Sequence, residues 1–417
     1  MVFSTIIFLF RFLPITLALY YLAPAKLKNT VLFVCSLVFY CWGEVRFFPV
    51  MLALIIINYL CGLGLEAFDA KPGVRKVLLL VALAASLGML FYFKYANFVL
   101  RSINSLLGTG FAAIQGISVL PLGISFYTFQ SMGYLIDVYN GKYAPEKNPA
   151  KFALFVSFFP QLIQGPIARF DQLESQLVTP HRFDLDGIER GLLLMLWGWF
   201  KKKVIADRAL SLVEAVFGNQ SAYGGAVIVV GVLFYSLQQY ADFSGGIDLV
   251  TGIAQLFGIQ LAPNFKRPYF SVSLGDFWRR WHISLGAWMR DYVFYPFALT
   301  RPVSRMSKAL KKKAGTHIAR ALPAALGNIL VFLLVGVWHG AQMNYVLWGL
   351  YNGVILAFTA LVEPVYKRMN DRLPRLTASG GFHVFRILRT FLVVNIGWYF
   401  AVSYTHLRAH ETRSNLV

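Results

Sequence analysis

Apolar stretches recur along almost the whole 417-residue chain. They lie near Ile6 to Leu22, Val31 to Cys41, Pro49 to Leu65, Val77 to Phe93, Phe111 to Tyr127 and Phe152 to Ile163. Six more follow at Gly191 to Phe200, Ala226 to Leu237, Leu249 to Ile259, Ala321 to Val337, Tyr345 to Val362 and Val384 to Val402. A helix needs about 20 apolar residues to cross a bilayer, so the shorter stretches predict interrupted, tilted or re-entrant segments. Breaks such as Leu120-Pro121-Leu122-Gly123 and Gln164-Gly165-Pro166 imply non-helical backbone at membrane depth. Such backbone is tolerated only where protein or a cavity covers it. The expected fold is all-α: a polytopic integral membrane protein with about 10–12 transmembrane or re-entrant helices.

Composition agrees, with 57% hydrophobic and 14% charged residues and a mean hydropathy of +0.58, against about 25% charged in soluble domains. No hydrophilic block is long enough for a soluble domain, so residues 1–402 read as one membrane domain. The net charge of +20 would suit nucleic acid, but its distribution argues for the lipid bilayer as partner and no nucleic acid. Basic residues punctuate the apolar runs at Lys26 and Lys28, Lys71 to Lys76, Lys201 to Lys203 and Arg301 to Lys313, the pattern of cytoplasmic loops facing anionic head groups. The N-terminal run lacks a basic leader and is too long for a signal peptide, so it reads as an uncleaved first span with the N-terminus outside. Cys35, Cys41 and Cys61 sit in apolar runs without metal-like spacing and read as small core hydrophobes, and no metal site is expected.

Against this background His339, in LLVGVWHGAQMNYVLWGLYNG, is an ionisable group among spans. Such groups face protein or a cavity and are functional-site candidates; the alternative is a packing histidine with satisfied hydrogen bonds. In Asp276 to Tyr292, Trp278, Trp281, Leu285, Trp288 and Tyr292 recur at steps of three and four. That spacing predicts one amphipathic helix with Arg279, Arg280 and Arg290 off the aromatic stripe and His282 beside it. The same pattern would serve a plain interfacial anchor. Upstream, YSLQQYADFSGGID places Gln238, Gln239, Asp242, Ser244 and Asp248 between apolar helices. A carboxylate there costs about 2.5–3.5 kcal/mol, so Asp242 is expected to pair with a cation or donors, as a structural clamp or a site group.

The run from Tyr235 through Pro296, together with VWHG at Val337 to Gly340, resembles the membrane-bound O-acyltransferase (MBOAT) family. PLGISFYTFQSMGYLIDVYNG, FFPQLIQGPIARF and GWFKKKVIADR extend the resemblance to about Ala401 and to its bacterial branch, which acetylates alginate or D-alanylates teichoic acid. The resemblance implies transfer of a small acyl group, acetyl first and D-alanyl second, to hydroxyls of an extracellular or cell-wall polysaccharide. It implies that His339 and His282 match the family's two histidines, and that helices ring a central funnel open from both faces. A cytosolic thioester donor, acetyl-CoA or an acyl carrier protein, would then reach an outside acceptor, with no bound cofactor. The bacterial inner (cytoplasmic) membrane is the implied location, with a periplasmic or extracellular acyltransferase or a cytosolic carrier protein as partner.

Chemistry independent of the resemblance suits the same residue. An imidazole of reference pKa near 6.5 can take the proton of a hydroxyl attacking a thioester, which makes His339 the expected general base; an acyl-imidazole is the lesser alternative. Trp338, Gln342 and Asn344 are nearby donors for the oxyanion, and Trp281 stands beside His282. Lys266, Arg267, Arg279 and Arg280 are candidates for the donor's phosphates, or an ordinary basic fringe.

Two departures from the family pattern stand out. FSGGID replaces an aromatic-containing FSGYSD form, so packing beside Asp242 should differ. The polar SYTHLRAHETRSNLV, residues 403–417, reads as a non-native tail on a truncated chain. The competing function classes are a transporter or flippase, which the lack of an inverted repeat disfavours, and a scaffold of an export complex.

Overall fold

The computed structural model describes residue 3, residues 5–115 and residues 120–402; the tail read as non-native lies outside the described residues. Among the described residues every regular element is a helix, and the one extended pairing is an isolated antiparallel bridge between Phe265 and Trp281. Among the described residues six runs are long and apolar enough to cross a membrane: Ala25–Ala67, Pro72–Lys94, Gly225–Leu256, Arg301–His339, Met343–Leu361 and Gly380–Val402. The protein is therefore a polytopic all-α membrane protein, as the apolar stretches predict.

The helices group into two compact units, Met1–Phe200 with Ser244–Ala262 and Lys201–Phe243 with Pro263–Val417. The first unit holds a phenylalanine-rich core in which Phe8 meets Phe39 edge-on at 5.8 Å and Phe12 meets Phe159 at 5.5 Å, the geometry that aromatic quadrupoles prefer. Both expected breaks belong to this unit and pack on each other. Gly123, at φ 70°, leads into the helix Ile124–Tyr139, and a Cβ there would lie 2.2 Å from the carbonyl oxygen of Leu162. The segment after Leu162 continues through the buried Gly165 and Pro166. Protein covers this irregular backbone, which meets the condition for keeping it at membrane depth.

Three sequence expectations need correction. The polar YSLQQYADFSGGID does not separate two helices but lies within the single helix Gly225–Leu256. Its side chains find partners there: Gln239 Nε2 donates to the Tyr235 hydroxyl at 2.6 Å, and Asp242 pairs with Lys202. Once satisfied, polar groups need not end a helix. Asp242 thus has the cation expected of it, and in the first unit the space above Gly246 is filled by the Gln164 amide, 2.3 Å from where a Cβ would stand. Second, the stripe from Asp276 to Tyr292 is two short helices, Leu274–Trp278 and Ile283–Met289, followed by a π-turn at Arg290–Phe294. The break falls at the bridge and at a left-handed His282, φ 48°. The burial side was nonetheless legible, since Trp281, Leu285 and Trp288 are buried. Third, neither Lys201 to Lys203 nor Arg301 to Lys313 forms a loop. The lysines occupy the π-helical Lys201–Ala206 with Lys201 buried and Lys203 bound to Asp207 at 2.9 Å, and the arginine-rich run opens the helix Arg301–His339, kinked at Gly315.

Candidate functional site

His339 is the last residue of the helix Arg301–His339; the chain then reverses into Met343–Leu361. Their backbones approach closely because glycines leave room. A Cβ on Gly336 would stand 2.3 Å from the Tyr345 carbonyl oxygen, and one on Gly349 2.3 Å from that of Phe332. The imidazole of His339 meets Trp348 edge-on at 5.3 Å and 87° and lies 6.5 Å from the Tyr345 ring. Trp338 is buried, 4.9 Å from His339 and 6.0 Å from His282 between ring centroids.

His282 arrives differently. The loops before the helices Leu274–Trp278 and Ile283–Met289 pair antiparallel, with Lys266 N–H donating to Arg280 O at 2.9 Å and Ile283 N–H donating to Asn264 O at 3.1 Å. Those bonds hold His282 in the left-handed region, which costs a non-glycine residue about 1–3 kcal/mol and persists only where the surroundings over-determine it. Its ring is buried, edge-on to Phe243 at 4.7 Å, with Nδ1 3.4 Å from Asn264 Oδ1. Nε2 is buried with no hydrogen-bond partner. Burial first, and His339 second, push this imidazole well below its ordinary pKa, so it is neutral at physiological pH.

Both histidines line one cavity of about 620 Å³. Its apolar wall includes Trp278, Trp281, Leu285, Phe332 and Val335, and its polar groups besides the histidines include Arg279, Arg290 and Asn328. Such a chamber, mostly apolar with a few convergent polar groups, has the make-up of a small-molecule site. Trp281 packs at a tilt against Trp398, 5.3 Å between ring centroids, and Trp278 donates its indole N–H to Asn352 Oδ1 at 3.2 Å, which fixes the wall.

Other sequence-predicted residues are placed apart. Gln238 is buried on the helix Gly225–Leu256 and Asp242 is held by Lys202, neither on the cavity wall. Of the four candidate cations, Arg279 alone lines the cavity. Arg280 grips Asp276 through Nε and Nη2, both at 3.1 Å, and Lys266 and Arg267 are exposed on the paired loop. Asn344 is spent on structure, its Nδ2 donating to Ala401 O at 3.1 Å. Sequence reasoning missed Asn264, Asn328 and Arg290. Asn264 stands 18 residues before His282, and no continuous helix joins them, only the short helical turns at Pro268–Phe270 and Leu274–Trp278. Only the APNFKRPY turn signal, proline beside asparagine, hinted at special backbone there.

A chain of apolar helices that brings two histidines to one chamber defines a class. The membrane-bound O-acyltransferase family model matches residues 146–396. The chain is 38% identical to the probable alginate O-acetylase of Pseudomonas syringae pv. tomato, over 95% of this chain and 71% of that protein. It is 31% identical to the peptidoglycan O-acetyltransferase of Helicobacter pylori, over 96% and 76%, and 28% identical to the teichoic acid D-alanyltransferase of Bacillus subtilis, over 67% of each. The chain belongs to the membrane-bound O-acyltransferase family and is an O-acyltransferase.

Proposed function

We propose that this protein moves an acetyl group from a cytosolic thioester to a hydroxyl of an envelope polysaccharide, with the chemistry in the cavity shared by His282 and His339. The single observation that carries the reading is that both sequence-predicted histidines, 57 positions apart (339 − 282) and on separate elements, line one chamber. The higher identity to the alginate and peptidoglycan O-acetylating relatives than to the D-alanyltransferase supports acetyl over D-alanyl.

In this mechanism His339 takes the proton of the acceptor hydroxyl as its oxygen attacks the thioester carbonyl carbon. The tetrahedral intermediate collapses with cleavage of the C–S bond, and the proton passes from His339 to the departing thiolate. The products are an ester and a free thiol. His282, neutral and buried, orients the acceptor. Arg279 at the cavity wall, 73% exposed in its side chain, is available to a phosphate-bearing donor. The bacterial inner membrane is the compartment in which such a donor and such an acceptor are both within reach.

The test is to supply membranes containing the protein with acetyl-labelled coenzyme A, or with an acetyl-loaded carrier protein, and an unmodified polysaccharide. Base-labile label in the polymer supports the reading, and Arg279→Ala should raise the apparent donor KM with kcat little changed. Label that never enters polymer with either donor overturns it.

A further inference from the structure

The hydrogen bonds around Asn264 decide which way round the His282 imidazole is protonated. Asn264 Oδ1 accepts from the backbone N–H of Ser284 at 2.9 Å and from the Ser284 hydroxyl at 2.9 Å. A backbone N–H can only donate, so the amide atom facing it must be oxygen; a flipped amide would set NH2 against N–H. The same oxygen faces His282 Nδ1 at 3.4 Å. Since a carbonyl oxygen can only accept, Nδ1 must carry the hydrogen. In a neutral imidazole the other nitrogen then carries the lone pair. That nitrogen, Nε2, is buried and makes no hydrogen bond within the protein, and its ring lines the cavity with His339.

We propose that Asn264 is a positioning residue that locks the tautomer of His282, so that Nε2 meets the acceptor as a hydrogen-bond acceptor and reads a hydroxyl rather than a carbonyl. This rests on the acyl-transfer reading above and sharpens it in two ways. His282 cannot donate to the thioester carbonyl or to the oxyanion that forms from it, so it is no part of an oxyanion hole. A sugar carrying a second hydroxyl beside the reacting one has the complementary donor: one hydroxyl gives its proton to His339 while its neighbour is held by His282. The inferred acceptor is therefore a polyol with adjacent hydroxyls rather than a simple alcohol. The arrangement is supported from both sides of the paired loops, because Ile283 N–H binds the backbone oxygen of the same Asn264.

The experiment has two arms that fail separately. The full chain labelled with ¹⁵N-histidine is studied in bilayers by solid-state NMR, with the His282 signals assigned by their loss in His282→Gln. The wild type is expected to show Nδ1 protonated and Nε2 unprotonated at neutral pH. An Nε2-protonated His282 overturns the proposal whatever the enzyme does. The second arm measures transfer kinetics at matched membrane abundance. Asn264→Ala should lower kcat by about a hundredfold, the lower end of what a positioned acid–base group contributes, with donor KM unchanged. Asn264→Asp, whose carboxylate still accepts from Nδ1–H and from Ser284, should keep Nδ1 protonated and recover part of kcat, most fully at the alkaline end of the pH range, where Nε2 is unprotonated. If Asn264→Ala keeps both the wild-type tautomer and kcat, or if Asn264→Asp is no better than alanine in a folded protein, the residue is merely structural. An intact tautomer in a protein that acylates no polymer would instead sink the acyl-transfer reading.

Discussion

The helix pair Arg301–His339 and Met343–Leu361 delivers His339 on regular backbone, whereas residues 264–289 deliver His282 on two short helices and a paired, left-handed turn. The first region works by close approach: glycines let two backbones touch, and the imidazole stands at a helix end among aromatic rings. The second works by specific hydrogen bonds to one asparagine, which set backbone, orientation and proton together. In the proposed mechanism His339 accepts and returns a proton, a task served by a helix end opening on the cavity, where His339 is exposed. A group that must stay neutral is served by burial. The two histidines are therefore not interchangeable, although the sequence presents each beside a tryptophan.

Mutating the two histidines should break the comparison most visibly. His339→Ala is expected to lower kcat by about 10³-fold or more, and His282→Gln by about 10²-fold, in a labelled-acetyl transfer assay. If they act on one transition state, the double variant should lose little beyond His339→Ala alone; fully multiplicative losses would mean that they work independently.

Backbone tolerance should separate the regions next. A side chain at Gly336 meets the Tyr345 carbonyl, so Gly336→Leu should destabilise by about 1–3 kcal/mol through overpacking. At Gly286, on the His282 side, a Cβ meets Trp278 O at an ordinary 3.6 Å. Gly286→Ala should leave the thermal midpoint of the detergent-solubilised protein close to that of the wild type. Equal shifts would erase the distinction drawn between the regions.

The smallest expected effect concerns pH. The unfolded chain binds a proton on its histidine below about pH 6.5, whereas folded His282 does not until far lower, because its pKa is depressed. The unfolded state therefore binds more protons in that window, and stability contributed by His282 is full above about pH 6.5 and declines as pH falls below it. Thermal midpoints measured from pH 7.5 to 5 should fall less steeply in His282→Gln than in wild type; parallel slopes would assign the decline to other groups.

Much of this was legible in the chain, and for one reason: in a membrane, apolar length is both the local and the global signal. Tyr345 to Val362 became Met343–Leu361 almost residue for residue, and Val77 to Phe93 lies wholly within the longer helix Pro72–Lys94. His339 stood out as a candidate because an ionisable group amid spans faces protein or a cavity, and it does line one. What escaped was pairing across distance. Ala226 to Leu237 and the start of the stretch from Leu249 share one helix, Gly225–Leu256, in which Asp242 between them is paired with Lys202, and the lysine run gives no hint of its partner. The helix from Asp276 to Tyr292 broke because Phe265, far upstream, pairs with Trp281. Periodicity sees neither contact, nor Asn264 behind His282.

The most direct measurement is the ester content of the envelope polysaccharide, by analysis of base-released acid, in cells carrying wild type, His339→Ala or empty vector at matched membrane levels. The account predicts acetate from wild type and only the vector background from His339→Ala. Equal acetate from the two proteins would contradict it.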